Sequence, residues 1–289
     1  MLGWVPWQDA VAGAGGSFLA TRALAHRRRR AVRAVATWAR EVTALLALYA
    51  LWQYAGDLSV SDSGGAIGRG RAVWRFERAV RLPSEGAVQH LFLSHHALLR
   101  AANEYYAQVH VTALGLCLVW LFARHRARYP VVRNVLVLVT GASLLIQLLP
   151  VAPPRLVPGL GIVDTGHLVG PSVYPPTVAP GLDQLSAMPS LHIGWAIIVA
   201  GSAIYALRSR WRWSAVAYPT LTSVVVVITG NHYWLDGIVA VGLCAAALAG
   251  VTLVRRRPLV GRQNGRPSTG DESIPQLVAV GAPPDMGGS

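Results

Sequence analysis

The fold of this 289-residue chain is decided by a stretch near its C-terminus, which reads GNHYWLDGIVAVGLCAAALAGVTLVRRR (residues 230–257). Residues 235–254 are almost wholly apolar, and about 20 such residues cross a bilayer as a helix. His232 and Asp236 stand at the start of the stretch, and three arginines close it. The pattern predicts a membrane-spanning helix with ionisable groups at one end and a basic anchor at the other.

Five further apolar blocks have the same character, and few of them contain a charge. The six blocks cover residues 35–55, 105–123, 131–149, 189–207, 214–229 and 235–254. Backbone in lipid must satisfy its own hydrogen bonds, so blocks of this length are predicted to be helices. The predicted fold is all-α, an integral membrane bundle of six transmembrane helices.

The composition agrees with a membrane protein. Hydrophobic residues make up 53% of the chain, charged residues only 13%, and the mean hydropathy is +0.41; a soluble domain carries about 25% charged residues. The net charge of +13 comes entirely from arginine, because the chain has no lysine. Nucleic-acid binding is disfavoured, because the arginines flank the apolar blocks and no recognition motif accompanies them. Cys117 and Cys244 lie inside apolar blocks and are predicted to be buried thiols.

The distribution of arginine predicts the topology, because basic connections remain in the cytoplasm. The basic groups are Arg27, Arg28, Arg29, Arg30 and Arg33 before the first block, Arg124, Arg126, Arg128 and Arg133 after the second, Arg208, Arg210 and Arg212 after the fourth, and Arg255, Arg256 and Arg257 after the sixth. The connection after the third block has only Arg155, and the connection after the fifth has none. Both termini are therefore expected in the cytoplasm of a multi-pass protein of the plasma (inner) membrane.

Three parts of the chain are distinguished by composition. Residues 1–34 are predicted to be a basic cytoplasmic arm, residues 35–258 the membrane domain, and residues 259–289 a disordered tail rich in Gly, Pro and Ser. Between the first and second membrane helices lies an Arg-rich connection, 56–100, with the apolar pattern Val73-Trp74-Phe76-Val80 and Leu91-Phe92-Leu98-Leu99. We expect an amphipathic segment there, lying in the membrane interface.

Three polar groups fall on the extracytoplasmic side of this topology. They are Pro153-Pro154-Arg155, Met188-Pro189-Ser190-Leu191-His192 and Gly230-Asn231-His232-Tyr233-Trp234-Leu235-Asp236. Their convergence was not used in orienting the chain. Ionisable groups near membrane depth indicate function, so the predicted site lies at the extracytoplasmic face.

The residue types in these groups suit phosphoryl transfer. His232 and Asp236 are four residues apart, so a carboxylate can orient an imidazole and leave its other nitrogen free as a nucleophile or base. Ser190 and His192 open a helix, whose N-terminus attracts anions and where a histidine can protonate a leaving oxygen. Arg155 can bind phosphate in a bidentate manner. The structural alternatives are helix capping for the first two groups and a headgroup anchor for Arg155.

A second set of polar residues lies near the second block. Asn103, Tyr106 and His110, together with Asn231, are predicted to line a lipid pocket; the alternative is hydrogen bonding between helices. Asp164 and Asp183, in the outer connection after the third block, are candidates for shaping access to the site, and the sequence indicates no partner for them.

These motifs resemble those of the type 2 phosphatidic acid phosphatase superfamily, which also includes haloperoxidases and inositolphosphotransferases. The second motif, Pro-Ser-Gly-His, is matched by Pro189-Ser190-Leu191-His192; the third ends in His, three residues and Asp, matched by His232 and Asp236; Arg155 matches the Arg of the first. The resemblance covers about residues 35–254. It implies that His232 is the nucleophile, Asp236 its orienting partner and His192 the general acid, with Arg155 and Ser190 on the phosphate.

The chain departs from the family pattern at three positions. Leu191 replaces the glycine of the second motif, and the Lys and Arg of the first and third motifs fall at Leu148 and Val226. Such losses resemble the branch related to the fungal inositolphosphorylceramide synthase, which moves phosphoryl-headgroups between lipids. The expected function is thus a membrane lipid-phosphate phosphatase working through a phospho-histidine, with an inositolphosphoryl-type phosphotransferase as the alternative. A non-enzymatic protein with a decayed site is a further alternative.

No cofactor is expected. The chain has no Asp-rich cluster of the kind that holds Mg²⁺, no His-Glu-x-x-His helix and no Gly-rich Lys-Ser/Thr phosphate loop. The chemistry is therefore predicted to be independent of metal. The expected partners are a membrane lipid substrate and, for transfer, an alcohol or inositol acceptor; no nucleic acid is expected.

Overall fold

The computed structural model describes residues 7–25, 38–43, 46–47, 49–50, 54, 63–172 and 182–256, and these are overwhelmingly helical. The helices are α1 (Trp7–Ala25), α2 (Ser63–Ala79), α3 (Glu85–His90), α4 (His96–Arg124), α5 (Tyr129–Gln147), α6 (Thr165–Val169), α7 (Leu191–Ala206), α8 (Ala217–Ile228) and α9 (Trp234–Arg256). Three short 3-10 helices cover Pro154–Leu156, Leu182–Leu185 and Arg210–Val216. The all-α prediction is confirmed.

Three helices of the described part are long and apolar enough to cross a membrane, namely α4, α5 and α9. The predicted fourth and fifth spans are shorter helices. At about 1.5 Å per residue, the 16 residues of α7 and the 12 of α8 reach roughly 24 and 18 Å, against a hydrocarbon core of about 30 Å. The first predicted span, 35–55, lies largely outside the described residues. Six spans are therefore not confirmed.

The N-terminal arm has more structure than its basic character suggested, because α1 occupies residues Trp7–Ala25. The few described residues of the first block lie beside the end of α4 and the start of α5. Glu41 pairs with Arg133 at 2.7 Å and accepts a hydrogen bond from the Tyr129 hydroxyl, and Trp38 packs on Phe122. The predicted disordered tail, 259–289, lies outside the described residues.

Helix α7 lies at the centre of the bundle and packs against α4, α5, α8 and α9. Small residues allow its close approach to α9: a Cβ added to Gly237 would lie 2.8 Å from Ile193 Cδ1. Cys244 directs its thiol to the Gly194 carbonyl at 3.7 Å, and both cysteines are free. Ser190 caps α7, because its side-chain oxygen accepts the Ile193 N–H, and this is why the helix begins where Pro189-Ser190 predicted.

The expected interfacial segment between the first two membrane helices consists of α2 and α3. Val73 and Trp74 pack against the protein interior, whereas Phe76 and Val80 are about half exposed. One part of the apolar pattern is therefore packed against the protein, and the other part lies at its surface. The prediction that the pattern at Leu98 and Leu99 belongs to this segment is wrong, since both lie in α4, which begins at His96. Capping explains the boundaries of α3: Ser84 accepts the Ala87 N–H at its start.

Helix α2 is fastened to the chain that follows α5. Arg69 Nε donates to the Pro150 carbonyl at 2.6 Å, and the Ala152 N–H donates to the Ala66 carbonyl at 3.0 Å. Gly70 faces the same segment, and a Cβ there would lie 2.6 Å from the Ala152 carbonyl oxygen and 2.9 Å from the Tyr233 hydroxyl. The interfacial segment is thus packed against the start of α9 as well.

This packing predicts opposite effects for two glycines of α2. We expect Gly70→Ala to lower the unfolding free energy by about 1–3 kcal/mol, because the methyl group meets a backbone oxygen that cannot move cheaply. Gly68→Ala is the matched control: nothing lies within 4 Å of its added Cβ, so the helix should gain about 0.5–1 kcal/mol. Thermal unfolding in detergent measures both. Equal shifts for the two variants would contradict the close packing at Gly70.

Candidate functional site

A tight turn between α8 and α9 presents the first histidine of the site. Gly230 has φ +72°, and a Cβ there would lie 3.1 Å from both Arg155 Cβ and the Val163 carbonyl oxygen, so glycine is required. The N–H groups of Asn231 and His232 both donate to the Val226 carbonyl. The chain therefore folds back on the end of α8 and places His232 two residues before α9 begins.

The hydrogen bonds of His232 define its tautomer. Its Nδ1 lies 2.8 Å from the Ala187 carbonyl oxygen and 3.2 Å from Asp236 Oδ2. Because a carbonyl oxygen only accepts, Nδ1 carries a hydrogen, and in the neutral form of the ring the lone pair is then on Nε2. The side chain is 4% exposed, and Nε2 is buried without a hydrogen-bond partner among the described residues. A neutral imidazole held in this way has a nucleophilic nitrogen ready for an incoming electrophile.

Asp236 lies in the first turn of α9 and is fully buried. Its Oδ2 accepts both the His232 Nδ1 hydrogen and the Tyr233 N–H, the latter at 2.9 Å. The Asp236 backbone carbonyl accepts the Ser190 N–H at 3.3 Å. The His232 and His192 motifs are therefore connected directly through main-chain and side-chain bonds.

His192 stands in the first turn of α7, and its ring centroid is 5.7 Å from that of His232. Tyr106 of α4 stacks on the His192 ring at 4.1 Å, and the His110 ring meets it edge to face at 4.7 Å. His110 is 2% exposed, and neither of its nitrogens has a partner among the described residues. The structure thus brings the predicted acid, the predicted nucleophile and two of the predicted pocket residues into one cluster.

Arg155 reaches the site from the 3-10 helix Pro154–Leu156. Its backbone N–H donates to the Gly230 carbonyl, and its side chain, 2% exposed, donates to Asn231 Oδ1, to Asp164 Oδ2 at 3.1 Å and to Gln184 Oε1 at 3.3 Å. Arg155 is therefore a buried member of the site, and the anchor alternative, with the side chain among lipid headgroups, does not fit this position.

Asp164, for which the sequence indicated no partner, has two. Besides Arg155 it contacts His167 Nδ1 at 2.9 Å, and it caps α6 by accepting the His167 N–H. Burial raises the pKa of its carboxyl, but the charge of Arg155 and the bonds from His167 outweigh burial and hold the pKa below its usual value. Asp164 is thus ionised near neutral pH and compensates the Arg155 charge. The side chain of Asp183 lies outside the described residues.

A small cleft opens beside the histidines, lined by Asn103, Tyr106, Arg155, Asp164, Gly166, Pro171, Ser172 and Asn231. Three of the four predicted pocket residues line it; the fourth, His110, lies against the other side of His192. Asn231 donates to Thr229 Oγ1 at 2.9 Å while accepting from Arg155. Ser190, the other predicted phosphate contact, is 1% exposed and serves as the cap of α7.

Asn103 holds the loop that forms one wall of the cleft. Its amide donates to the Thr165 carbonyl at 3.0 Å and the Gly170 carbonyl at 3.2 Å, and its oxygen accepts from the Thr165 hydroxyl at 2.8 Å. All three hydrogen bonds connect α4 either to Thr165 at the start of α6 or to Gly170 just after its end. Asn103 therefore forms hydrogen bonds within the protein, which was the structural alternative, and it also lines the cleft.

Sequence reasoning missed several residues that build the site. Gln89 of α3, fully buried, bonds to the Val163 carbonyl, the Val163 N–H and the Ile228 carbonyl. Glu77 of α2 accepts the Leu235 N–H at 2.6 Å. Gln184 contacts Arg155. The one signal in the sequence was that Glu77 and Glu85 are acidic residues within an arginine-rich segment.

The fold and the site define a class: a protein of apolar helices with a buried His–Asp pair, a second histidine beside that pair, and an arginine that lines the adjoining cleft. The chain belongs to the PAP2 superfamily, whose family model matches residues 71–250. The match confirms the family indicated by the motifs and supports an enzyme of the phosphatase or phosphotransferase type. Neither the comparison with curated proteins nor that with solved structures finds a match.

The role of Asn103 is tested by its replacement with leucine. Asn103→Leu leaves the Thr165 and Gly170 carbonyls without the Asn103 donor, at about 1–3 kcal/mol for each buried group, and removes the shorter of the two bonds of the Thr165 hydroxyl. We expect hydrogen exchange of the amides in α6 to become roughly tenfold faster or more. Gln108→Leu, at an exposed position of the same helix, is the control. Unchanged exchange in Asn103→Leu would show that the loop is held by other contacts.

Proposed function

We propose that the protein is a metal-independent membrane lipid-phosphate phosphatase that works through a phospho-histidine intermediate on His232. One observation carries the proposal: Nε2 of His232 is buried without a hydrogen-bond partner among the described residues, while Nδ1 is held by the Ala187 carbonyl and Asp236. Family membership supports the reaction class. Both the lipid substrate and the phospho-histidine intermediate are part of what we propose.

The proposed reaction has two steps. In the first, His232 Nε2 forms a bond to phosphorus, the bond from phosphorus to the lipid oxygen breaks, and His192 donates its proton to that oxygen. In the second, water attacks phosphorus while His192 takes up the proton of the water, and the P–N bond breaks with release of phosphate. The two ring centroids are 5.7 Å apart, so in this proposal both histidines act on the same phosphoryl group, one on each side of the transferring phosphorus.

Asp236 and Arg155 stabilise opposite charges in this reaction, a positive charge on His232 and the negative charge of the phosphate. The Asp236 carboxylate stabilises the positive charge that His232 acquires on bond formation, and it does so from a fully buried position where screening is weak. The Arg155 guanidinium, 2% exposed, faces the cleft where phosphate oxygens would lie. Because these groups are held in place before the reaction begins, little reorganisation is needed.

The extracytoplasmic face is the proposed location of the site. The site lies where α7 and α9 begin, whereas Arg255 and Arg256 lie in the last turn of α9 and Arg124 in the last turn of α4. Basic residues at that opposite end favour the cytoplasm. We propose a multi-pass protein of the plasma (inner) membrane with both termini inside.

A phosphotransferase is the second candidate, and the charge balance of the cleft favours it. Arg155 is the one cationic side chain among the described residues lining the cleft, and Asp164 already pairs with it. Val226, at the family's basic position, is fully buried in an apolar cluster. A phosphodiester carries one negative charge and needs less neutralisation than a phosphomonoester with two. An alcohol such as inositol would then replace water in the second step.

Phosphate release tests the proposal. Purified protein in detergent with EDTA is given phosphatidic acid, phosphatidylglycerol phosphate or an isoprenyl diphosphate. We expect release by the wild type and a fall of roughly 10³-fold or more in His232→Ala, since the nucleophile is lost. His96→Ala, at an exposed position outside the cluster, should match the wild type. Equal release by His232→Ala and the wild type would refute the phospho-histidine.

An acceptor experiment separates hydrolysis from transfer. A phosphodiester lipid with a radiolabelled headgroup is incubated with and without inositol or a second lipid alcohol. Labelled product that forms only with an acceptor would support the transferase. Headgroup released without an acceptor would show hydrolysis of the diester and would contradict the transferase. No product in either experiment would favour the non-enzymatic alternative.

A further inference from the structure

We propose that Glu77 is a positioning residue that fixes the first turn of α9 while sharing a single proton with Glu85. Neither carboxylate belongs to the cleft or to the motifs of the family. The inference rests on the proposed function for its effect on catalysis, whereas the shared proton is tested independently of activity.

The first contact places Glu77 on the catalytic helix. Glu77 Oε1, at the end of α2, accepts the Leu235 N–H at 2.6 Å across 158 positions of sequence. The first N–H groups of a helix have no partner within the helix, so a carboxyl from another helix acts here as a cap. Leu235 immediately precedes Asp236, and Asp236 in turn holds His232. A shift of Leu235 would therefore move both members of the His–Asp pair.

The second contact, between Glu77 and Glu85, requires a proton on one of the two carboxyl groups. Glu77 and Glu85 are both fully buried, and a single nitrogen, Arg78 Nη2, approaches an oxygen of each carboxyl group. With both ionised, Glu77 Oε2 has no donor among the described residues. Arg78 reaches Glu85 Oε2 at 3.2 Å but stands 3.9 Å from Glu77 Oε2. One proton on Glu77 Oε2, donated to Glu85, satisfies the pair and leaves a single negative charge for Arg78.

Ionisable groups of the neighbouring helices also approach Glu77. Asp236 and Tyr233 approach from the start of α9, Glu85 from α3, and Arg78 from α2 itself. Burial, together with the hydrogen bond and the charge of Glu85, raises the pKa of Glu77 to about 9, although the Leu235 N–H opposes this. Above that pH a second buried negative charge would lie beside Glu85 and near Asp236, which would push α2 and α3 away from α9.

The sign of the pH dependence follows from the raised pKa. Unfolded Glu77 ionises near its ordinary value of 4.5, whereas folded Glu77 holds its proton to about pH 9. The stability contribution is therefore fully present below 4.5 and is lost as pH rises towards 9. Because the chain contains no lysine, few other side chains titrate in the upper part of this range.

The experiment compares the full-length wild type with Glu77→Gln in detergent. Glutamine keeps an oxygen for the Leu235 N–H and an NH₂ donor for Glu85, but it cannot ionise. We expect the melting temperature of the wild type to fall as pH rises from neutral to one unit above the Glu77 pKa, and that of Glu77→Gln to fall much less. Glu104→Gln, at an exposed position of α4, should follow the wild type. This measurement needs no substrate.

The activity arm tests positioning. The alkaline limb of the kcat profile should lie at higher pH in Glu77→Gln than in the wild type. Glu77→Ala should lose about 100-fold in kcat at neutral pH, as expected from a displacement of roughly 1 Å, and Glu77→Gln should restore most of that loss.

Parallel melting curves for the wild type and Glu77→Gln would overturn the shared proton. Equal kcat profiles for the wild type, Glu77→Gln and Glu77→Ala would overturn positioning. If Glu77→Ala does not fold, the Glu77→Gln profile decides. Should the wild type prove inactive on every substrate, the proposed function fails while the melting curves still decide the shared proton.

Discussion

The hydrogen on His232 Nδ1 lies between two acceptors, the Ala187 carbonyl and the Asp236 carboxylate, and the arrangement of the surrounding chain follows from the need to hold both. Ala187 is held in turn, because its N–H donates to the Val151 carbonyl. The next residue, Ala152, accepts from the Tyr233 hydroxyl and donates to Ala66 of α2. The acceptor on one side of the imidazole is therefore fixed by α2 and the start of α9 together.

Helices α2 and α3 also help to hold the site in place. A polar group buried at the end of a membrane bundle costs free energy unless it is hydrogen-bonded. Gln89 of α3 meets this condition with three bonds, which join the turn before α6 to the end of α8. Asn103 does the same between α4 and α6. Such side chains replace apolar packing where irregular chain must pass close to the site, and they give the cleft rigid walls.

Local sequence pattern and motif spacing were sufficient to predict part of this structure. Apolar length predicted α4, α5 and α9, and the Pro189-Ser190 pair predicted the start of α7. His232, Asp236 and His192 do come together, next to Asn231, which shares the cleft lining with Arg155. The shorter α7 and α8 were not anticipated, because an apolar block has the same appearance whether it is surrounded by lipid or by protein. A central helix such as α7 is covered by its neighbours and need not match the bilayer thickness.

The contacts that sequence reasoning missed join residues far apart in the chain. Gln89 and Ile228 are separated by 139 positions, and Glu77 and Leu235 by 158. No periodicity within one segment reports such a bond, because it depends on how α2 and α3 dock after the bundle has formed. Asp164 is a nearer case, nine positions from Arg155, but the two stand on an irregular loop whose course the sequence does not define.

Charge compensation connects these missed residues with the choice of substrate. Arg155 is matched by Asp164, and the partly exposed Arg78 by Glu85, so each of these two cations already has an anion. Such matching is what permits burial, since an unpaired charge at this depth is strongly destabilising. An incoming phosphate therefore adds negative charge to a cleft whose described side chains carry no excess positive charge. A monoanionic diester adds half the charge of a dianionic monoester, so this charge balance is the observation behind the phosphotransferase alternative to the proposed phosphatase.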